Sequence, residues 1–131
     1  MDTQPIRVLV IDDEELFRNN LIRMLSSLGM VAKGADSGAA ALEALAEASY
    51  DVALLDLKMP GMTGEEVLQG IKRQGFPVEV VVLTGHAAMD MVIGLLNQGA
   101  FDYVLKPYQT VHLLDTVKLA AGQRRMNHPD M

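Results

Sequence analysis

The feature of this chain that most constrains its fold is a regular alternation of two kinds of segment. Short apolar runs recur along the sequence, and longer stretches with apolar residues at helical spacing separate them. The five runs are IRVLVI (6–11), MVAKGA (30–35), DVALLD (51–56), VEVVVL (78–83) and FDYVLK (101–106). The first, third and fourth are almost uninterrupted in Val, Leu and Ile, which is typical of parallel strands covered on both faces. The alternation therefore predicts an α/β fold with a five-stranded parallel sheet and helices on both sides.

The stretches between the runs predict the helices. We expect them at about 14–28, 38–48, 64–74, 87–98 and 110–123. In the first, an apolar stripe is predicted from Leu16, Phe17, Leu21, Leu25 and Leu28. Ser37 and Thr63 stand where N-caps of the second and third helices would lie.

The last residues, GQRRMNHPDM, lose the helical periodicity. We therefore expect one domain over residues 1–122, followed by a linker or disordered tail over 123–131.

Composition excludes several classes of function. The net charge of -6, from 17 acidic and 11 basic residues, argues against direct nucleic-acid binding. The chain has no cysteine, and hence no disulfide framework or thiolate chemistry. The first residues, MDTQPIRVLV, do not resemble a signal peptide, and no apolar run approaches the roughly 20 residues of a membrane span. These features predict a soluble cytoplasmic protein with no membrane partner.

Polar residues follow four of the five predicted strands, at the edge where an open parallel sheet binds its ligands. They are Asp12-Asp13-Glu14-Glu15 after the first strand, Asp56 at the end of the third, Thr84-Gly85-His86 after the fourth and Lys106-Pro107 after the fifth. Because the carboxyl ends of parallel strands meet at one edge, these side chains are expected to lie close together.

Clustered carboxylates repel one another unless one takes up a proton or a cation holds them ionised. Mg²⁺ suits such a site, with carboxylates from Asp12, Asp13 and Asp56 and a further oxygen from the backbone carbonyl of Lys58. A carboxylate can also act as the nucleophile of phosphoryl transfer, giving an aspartyl phosphate. Lys106 would offset charge on a phosphoryl oxygen, and Thr84 would hydrogen-bond another.

At these residues the chain resembles the response-regulator receiver domain of two-component signalling, over about residues 5–122. The matching features are the acid pair Asp12-Asp13, LLDLKMPG around Asp56, Thr84 followed by a small residue, and Tyr103 three residues before Lys106-Pro107. Receivers often carry Asp where Thr63 stands, but Thr also caps helices. The stretch QGAFDYVLKPY (98–108) is similar to receivers of transcriptional activators of the nitrogen-regulation type.

The resemblance implies a phosphorelay function for the chain. Asp56 would accept a phosphoryl group from a sensor histidine kinase or phosphotransfer protein, with Mg²⁺ at Asp12, Asp13 and Asp56. Lys106 would contact the phosphoryl group, and Thr84 and Tyr103 would be switch residues. The family also implies the flavodoxin-like strand order 2-1-3-4-5 and a cis Lys106–Pro107 peptide bond. It implies no enzyme, beyond Mg²⁺-dependent self-phosphorylation and autodephosphorylation.

Two other classes of protein share parts of this pattern. A phosphatase of the haloacid-dehalogenase type also uses an aspartate nucleophile, but it needs a second acid two residues later, where this chain has Lys58. A small flavin carrier shares the architecture, but it needs a Ser/Thr-rich phosphate loop where this chain has Asp12 to Glu15. Both remain alternatives.

The fourth predicted helix is apolar around most of its circumference. Its polar or small residues fall on one line, Asp90, Gly94 and Asn97, and the rest of its surface carries Met89, Met91, Val92, Ile93, Leu95 and Leu96. Such an arc is wider than one buried stripe, so part of it is expected to be exposed. We predict a homodimer or output-domain surface made of helix 4, strand 5 and helix 5; alternatively, helix 5 covers these residues.

Overall fold

The computed structural model of the chain describes residues 4–85 and 88–129. Its strands form one parallel sheet in the order β2-β1-β3-β4-β5. The strands are β1 (Arg7–Ile11), β2 (Val31–Ala35), β3 (Val52–Asp56), β4 (Glu79–Thr84) and β5 (Asp102–Leu105). The predicted α/β class and the 2-1-3-4-5 order are both confirmed.

A helix follows each strand. The helices are α1 (Glu15–Ser27), α2 (Gly38–Glu47), α3 (Gly64–Gln74), α4 (Met89–Asn97) and α5 (Thr110–Asn127). His86 and Ala87, where the fourth helix was predicted to begin, lie outside the described residues. Within the described ranges, no helix has the combined length and hydropathy needed to cross a bilayer.

The helices cover both faces of the sheet. Buried residues of α2, α3 and α4 pack on one face, as Ala41, Val67 and Leu95 show. Buried residues of α1 and α5 pack on the other, as Leu25 and Val117 show. Because the sheet is covered on both sides, the central strands β1, β3 and β4 are apolar at successive positions rather than at alternate ones.

The predicted helix caps form as expected. The Ser37 hydroxyl accepts a hydrogen bond from the Ala40 amide at 3.1 Å. Thr63 forms a reciprocal capping box with Glu66, whose carboxylate accepts from the Thr63 amide at 2.9 Å. Gly75 ends α3 in the left-handed conformation, with φ of 71°, which glycine adopts without strain. Thr63 thus caps α3 as predicted.

The predicted stripe of α1 is only partly correct. Leu21 and Leu25 are buried, whereas Leu16 is 75% and Leu28 51% exposed. At about 100° per residue, Leu16 lies on the opposite side of the helix from Leu21 and Leu25. Leu28 is the C-cap residue, beyond the last turn that packs on the sheet.

The expected linker or disordered tail at 123–131 is wrong for residues 123–127, because α5 continues to Asn127. Arg124, in this extension, is only 1% exposed, and its Nε donates to the Pro77 carbonyl at 2.8 Å. A charged residue fills a buried position of the helix here, so the apolar periodicity stops before the helix does.

Candidate functional site

Three carboxylates from two strand ends meet at the carboxyl edge of the sheet. Asp12 and Asp13 follow β1, and Asp56 ends β3. One carboxylate oxygen from each of the three lies within 4.8 Å of the others. Asp12 and Asp56 are each 2% exposed, while Asp13 is open to solvent. The predicted acidic cluster therefore exists, with one acid at its surface.

Asp56 is held by two donors on the same oxygen. Its Oδ1 accepts from the Lys58 amide at 3.1 Å and lies 3.1 Å from the Lys106 ammonium. The Lys106 amide in turn donates to the Thr84 carbonyl at 2.8 Å, which ties the end of β5 to the end of β4. The Lys106–Pro107 peptide bond is cis, as predicted. The Lys58 backbone lies beside the carboxylate, and its carbonyl as a metal ligand stays a prediction.

Asp12 has an electrostatic environment that disfavours its charge. Burial, together with the negative charge of Asp56, raises the pKa of its carboxyl to about 6, despite a hydrogen bond from the Glu14 amide that lowers it. Its Oδ1 accepts from that amide at 2.9 Å. Its Oδ2 is buried and has no hydrogen-bond partner among residues 4–85 and 88–129. A buried, unpartnered carboxylate oxygen is costly, and a cation would satisfy it.

The chemistry of the cluster suits a hard divalent cation. Among the described residues, the cations closest to the three carboxylates are the Lys106 ammonium at Asp56 and the Arg18 guanidinium at the Asp12 carbonyl, so the local charge is negative when all three acids are ionised. Oxygen ligands of this kind bind Mg²⁺, which retains several of its waters. The buried Oδ2 of Asp12 supplies a ligand that no protein donor occupies in the described part of the chain.

The two predicted switch residues lie at different places. Thr84 ends β4, is 2% exposed and donates its hydroxyl to the Gly85 carbonyl at 3.1 Å. Tyr103 is half-buried on β5 and packs against the core on the face of the sheet that α2, α3 and α4 cover. It lines a groove of about 370 Å³ with Asp102, Leu105, Pro107, Tyr108, Gln109 and His112. The structure thus places Thr84 next to the acidic edge and Tyr103 on the outer edge of the sheet.

A larger cavity, of about 610 Å³, opens over Asp56. Its lining consists of Glu14, Phe17, Asp56, Lys58, Gly85, Lys106, Pro107 and Tyr108. Phe17 belongs to the apolar stripe predicted for α1, and Tyr108 has no role predicted from the sequence. Phe17 comes five residues after Asp12, and Tyr108 comes two residues after Lys106. This proximity in the sequence was the signal that both side chains flank the site.

A third buried carboxylate, which was not predicted from the sequence, lies at the opposite edge of the sheet. Asp51 precedes β3 and is fully buried. Its Oδ2 lies 3.0 Å from Arg125, and its Oδ1 lies 3.3 Å from Arg7 and 3.4 Å from Arg124. The Arg7 amide also donates to it at 2.9 Å.

This ionic cluster of Asp51 with Arg7, Arg124 and Arg125 joins β1, β3 and α5. Burial acts to raise the pKa of Asp51, but hydrogen bonds from Arg125 and Arg7 lower it overall. Arg125 also donates to the carbonyls of Gln4 and Pro5, at 3.3 and 2.9 Å. The last turns of α5 are therefore anchored to the start of the chain.

The doubly wound sheet, with three clustered acids and a lysine at its carboxyl edge, defines an α/β domain with an acidic site at one end. Residues 8–118 match the family model of the response regulator receiver domain. The chain belongs to the response regulator receiver family of two-component systems. The match confirms the predicted resemblance and gives no support to the phosphatase or flavin-carrier alternatives.

Similar proteins include transcriptional regulators longer than this chain. The DNA-binding transcriptional regulator NtrC of Escherichia coli (strain K12) is 40% identical over 101 residues, which cover 77% of this chain and 22% of that protein. The probable transcriptional regulatory protein NarL of Mycobacterium tuberculosis (strain CDC 1551 / Oshkosh) is 36% identical over 130 residues, covering 98% of this chain and 60% of that protein. A receiver domain structure from Clostridium thermocellum superposes with a TM-score of 0.87 at 32% identity, covering 92% of this chain and 98% of that one.

Proposed function

We propose that this receiver domain accepts a phosphoryl group on Asp56 from a sensor histidine kinase or a phosphotransfer protein in the cytoplasm. The observation that carries the proposal is the setting of Asp56. Its carboxylate is 3.1 Å from the Lys106 ammonium and within 4.8 Å of Asp12 and Asp13 oxygens, under an open cavity. A nucleophile, a cation and metal ligands thus stand together where a donor can reach them.

The transfer is a displacement at phosphorus. Because Oδ1 of Asp56 is held by Lys58 and Lys106, we assign Oδ2 as the attacking oxygen. The new bond joins Oδ2 to phosphorus, the P–N bond of the phosphohistidine breaks, and its electron pair stays on the imidazole nitrogen. Lys106 lies close enough to follow the phosphoryl oxygens, whose charge it offsets. The domain receives the group and is not itself a turnover enzyme for other substrates.

The Mg²⁺ ion of the proposal would be held by Asp12, Asp13 and Asp56, with the Lys58 carbonyl as a further ligand. When bound, it neutralises charge on the transferred group and keeps it in line with the nucleophile. The unpartnered Oδ2 of Asp12 supports this assignment.

The proposal predicts that Mg²⁺ binding weakens as pH falls through about 6, where Asp12 takes up a proton. Binding requires the ionised carboxylate, so the affinity should drop by up to about tenfold per pH unit below that value. Calorimetric titration of the protein with MgCl₂ between pH 8 and pH 5 measures this dependence.

Two alanine variants test the ligand set. Asp13→Ala should weaken Mg²⁺ binding on the order of tenfold, equivalent to about 1.4 kcal/mol. Asp36→Ala, which removes an exposed acid after β2 that is outside the cluster, should bind as the wild type does. Equal affinities for the wild type and Asp13→Ala would contradict the site.

Phosphorylation is proposed to act through Thr84 and Tyr103. The Thr84 hydroxyl now donates to the Gly85 carbonyl, one residue away, and would instead donate to a phosphoryl oxygen. This movement would draw the start of α4 toward the site and let Tyr103 repack on β5. The two changes together would bias a two-state surface.

We place that surface on the flank of α4 that faces away from α3, on β5 and on α5. We propose that a second copy of this chain binds there. Of the apolar residues of α4, Val92 and Leu95 are buried, whereas Met91 is 49% and Ile93 53% exposed. The Gln98 side chain donates a hydrogen bond to Glu65 of α3, so this face of α4 is directed at α3. Met91, seven residues before Gln98, lies on the same face of α4. Ile93 therefore lies on the other flank, toward β5, where α5 does not cover it.

The surface predicts a phosphorylation-dependent dimer. With Mg²⁺ and beryllofluoride, a mimic of the phosphoryl group, the wild type should shift toward a dimer in sedimentation velocity. Ile93→Glu should remain monomeric, because a charge on the apolar flank opposes burial. Met91→Glu, with the same change on the α3 side of α4, should dimerise as the wild type does. Identical association of all three proteins with and without beryllofluoride would exclude dimerisation through this face.

The direct test of the proposed function is the intact mass of the protein after incubation with acetyl phosphate. The wild type should gain one phosphoryl group with Mg²⁺ present and none when EDTA removes the metal. An unchanged mass in both conditions would contradict the proposal.

A further inference from the structure

Two aromatic side chains beside Asp56 take no part in the proposed phosphoryl transfer. Phe17 lies in the first turns of α1, and Tyr108 follows Lys106-Pro107. Both line the cavity over Asp56. The Lys106 ammonium lies 4.6 Å from the centre of the Phe17 ring, and the rings of Phe17 and Tyr108 meet edge to face at 6.3 Å with an interplanar angle of 81°.

We infer that Phe17 is a positioning residue for Lys106, which rests on the proposed phosphoacceptor role of Asp56. The ammonium has an attractive neighbour on each side: Oδ1 of Asp56 at 3.1 Å and the face of the Phe17 ring at 4.6 Å. A cation within about 6 Å of a ring centroid is attracted by the negative face of the ring. Lysine carries its charge on a flexible four-carbon chain, so a second contact restricts where that charge is held.

The two contacts behave differently when Asp56 reacts. Phosphorylation turns the carboxylate into an acyl phosphate, and the negative charge moves outward onto the phosphoryl oxygens. The Oδ1 contact weakens at that moment, whereas the face of the Phe17 ring is unchanged by the reaction and still attracts the ammonium. Phe17 thus keeps the Lys106 ammonium next to Asp56 before and after phosphorylation. From there the ammonium can contact the negative charge after it has moved onto the phosphoryl oxygens.

Tyr108 fixes the orientation of the Phe17 ring. An edge-to-face pair is a favoured arrangement of aromatic rings, and in this pair the Phe17 ring presents a face to the Lys106 ammonium. With only 27% of the Lys106 side chain exposed, the ammonium lies where the attraction to the ring is less weakened by water than on an open surface.

The contact itself is tested without any phosphorylation. Ring currents of Phe17 should shift the Lys106 ε-methylene proton resonances upfield in the wild type. The shift should persist in Phe17→Tyr and disappear in Phe17→Leu, which keeps an apolar side chain without a ring. An unshifted resonance in the wild type would overturn the inference.

The role in the reaction is tested by the rate of phosphorylation with acetyl phosphate and Mg²⁺. Phe17→Leu should slow the reaction by about threefold to tenfold, the range set by a partly shielded cation–π contact, and Phe17→Tyr should restore it. Leu16→Ala, on the neighbouring exposed residue of α1, is the matched control and should react at the wild-type rate. Mg²⁺ affinity should be unchanged in all three, because Lys106 is not a metal ligand.

A double-variant cycle separates positioning from packing. In a Lys106→Gln background, which has no ammonium to position, Phe17→Leu should cause no further loss of rate. A full additional loss there would overturn the inference and assign Phe17 a packing role. A wild type that takes up no phosphoryl group would overturn the proposed function, while the ring-current result would still report on the contact.

Discussion

Asp56→Asn should take up no phosphoryl group from acetyl phosphate, while the protein keeps its fold. An amide oxygen is a poor nucleophile, but it can still accept the hydrogen bond from the Lys58 amide that Asp56 accepts now. The substitution also removes one of two mutually repelling buried acids, so we expect no loss of stability in the metal-free protein. Intact mass with acetyl phosphate and Mg²⁺ measures the uptake, and circular dichroism checks the fold.

Asp36→Asn is the matched control, since it removes an exposed acid at the same edge of the sheet. It should be phosphorylated to the wild-type extent. A phosphorylated Asp56→Asn protein, with the group mapped by mass spectrometry to Asp12 or Asp13, would refute Asp56 as the sole phosphoacceptor.

The same substitution at the other end of β3, Asp51→Asn, should instead reduce the stability of the fold. Asp51→Asn is expected to lower the free energy of unfolding by about 3–5 kcal/mol, because it leaves the buried Arg124 without its carboxylate. Equilibrium unfolding in urea at pH 7 measures the loss. Replacing Arg124 with methionine in the same protein should recover part of it, since the buried charge is then absent. A loss below about 1 kcal/mol for Asp51→Asn would show that the ionic cluster contributes little.

The contribution of Asp51 to the free energy of unfolding should also depend on pH. The pKa of Asp51 is lower in the folded chain than its ordinary value of 3.8, so its contribution is complete at neutral pH. It is lost as the pH falls below 3.8 and through the folded-state pKa. Over that acid range, stability should fall more steeply for the wild type than for Asp51→Asn.

The parts of the structure that follow from periodicity could be predicted from the sequence. A parallel sheet brings the carboxyl ends of its strands to one edge, and so Asp12, Asp56 and Lys106 could be placed together from the sequence alone. Ser37 and Thr63 could be assigned as caps because capping depends on residues a few positions away.

What could not be predicted depends on side chains that break the usual link between polarity and exposure. Arg124 occupies a buried position of α5 because Asp51 compensates its charge, and a search for apolar periodicity ends the helix too early there. Leu16 is apolar yet mostly exposed, so it was wrongly counted in the stripe of α1. The contact between Phe17 and Lys106 joins residues that are 89 positions apart, one on α1 and one just after β5, and no local pattern encodes it.

The placement of Asp51 and Asp56 at opposite ends of one strand has a consequence for genetics. Variants that fail in signalling should fall into two groups that an assay of total output cannot tell apart. Changes near Asp56 would leave cells with normal amounts of an inert protein. Changes near Asp51 would leave fewer molecules, each fully reactive, because a destabilised chain is removed by cellular proteases. Output divided by protein abundance separates the two groups.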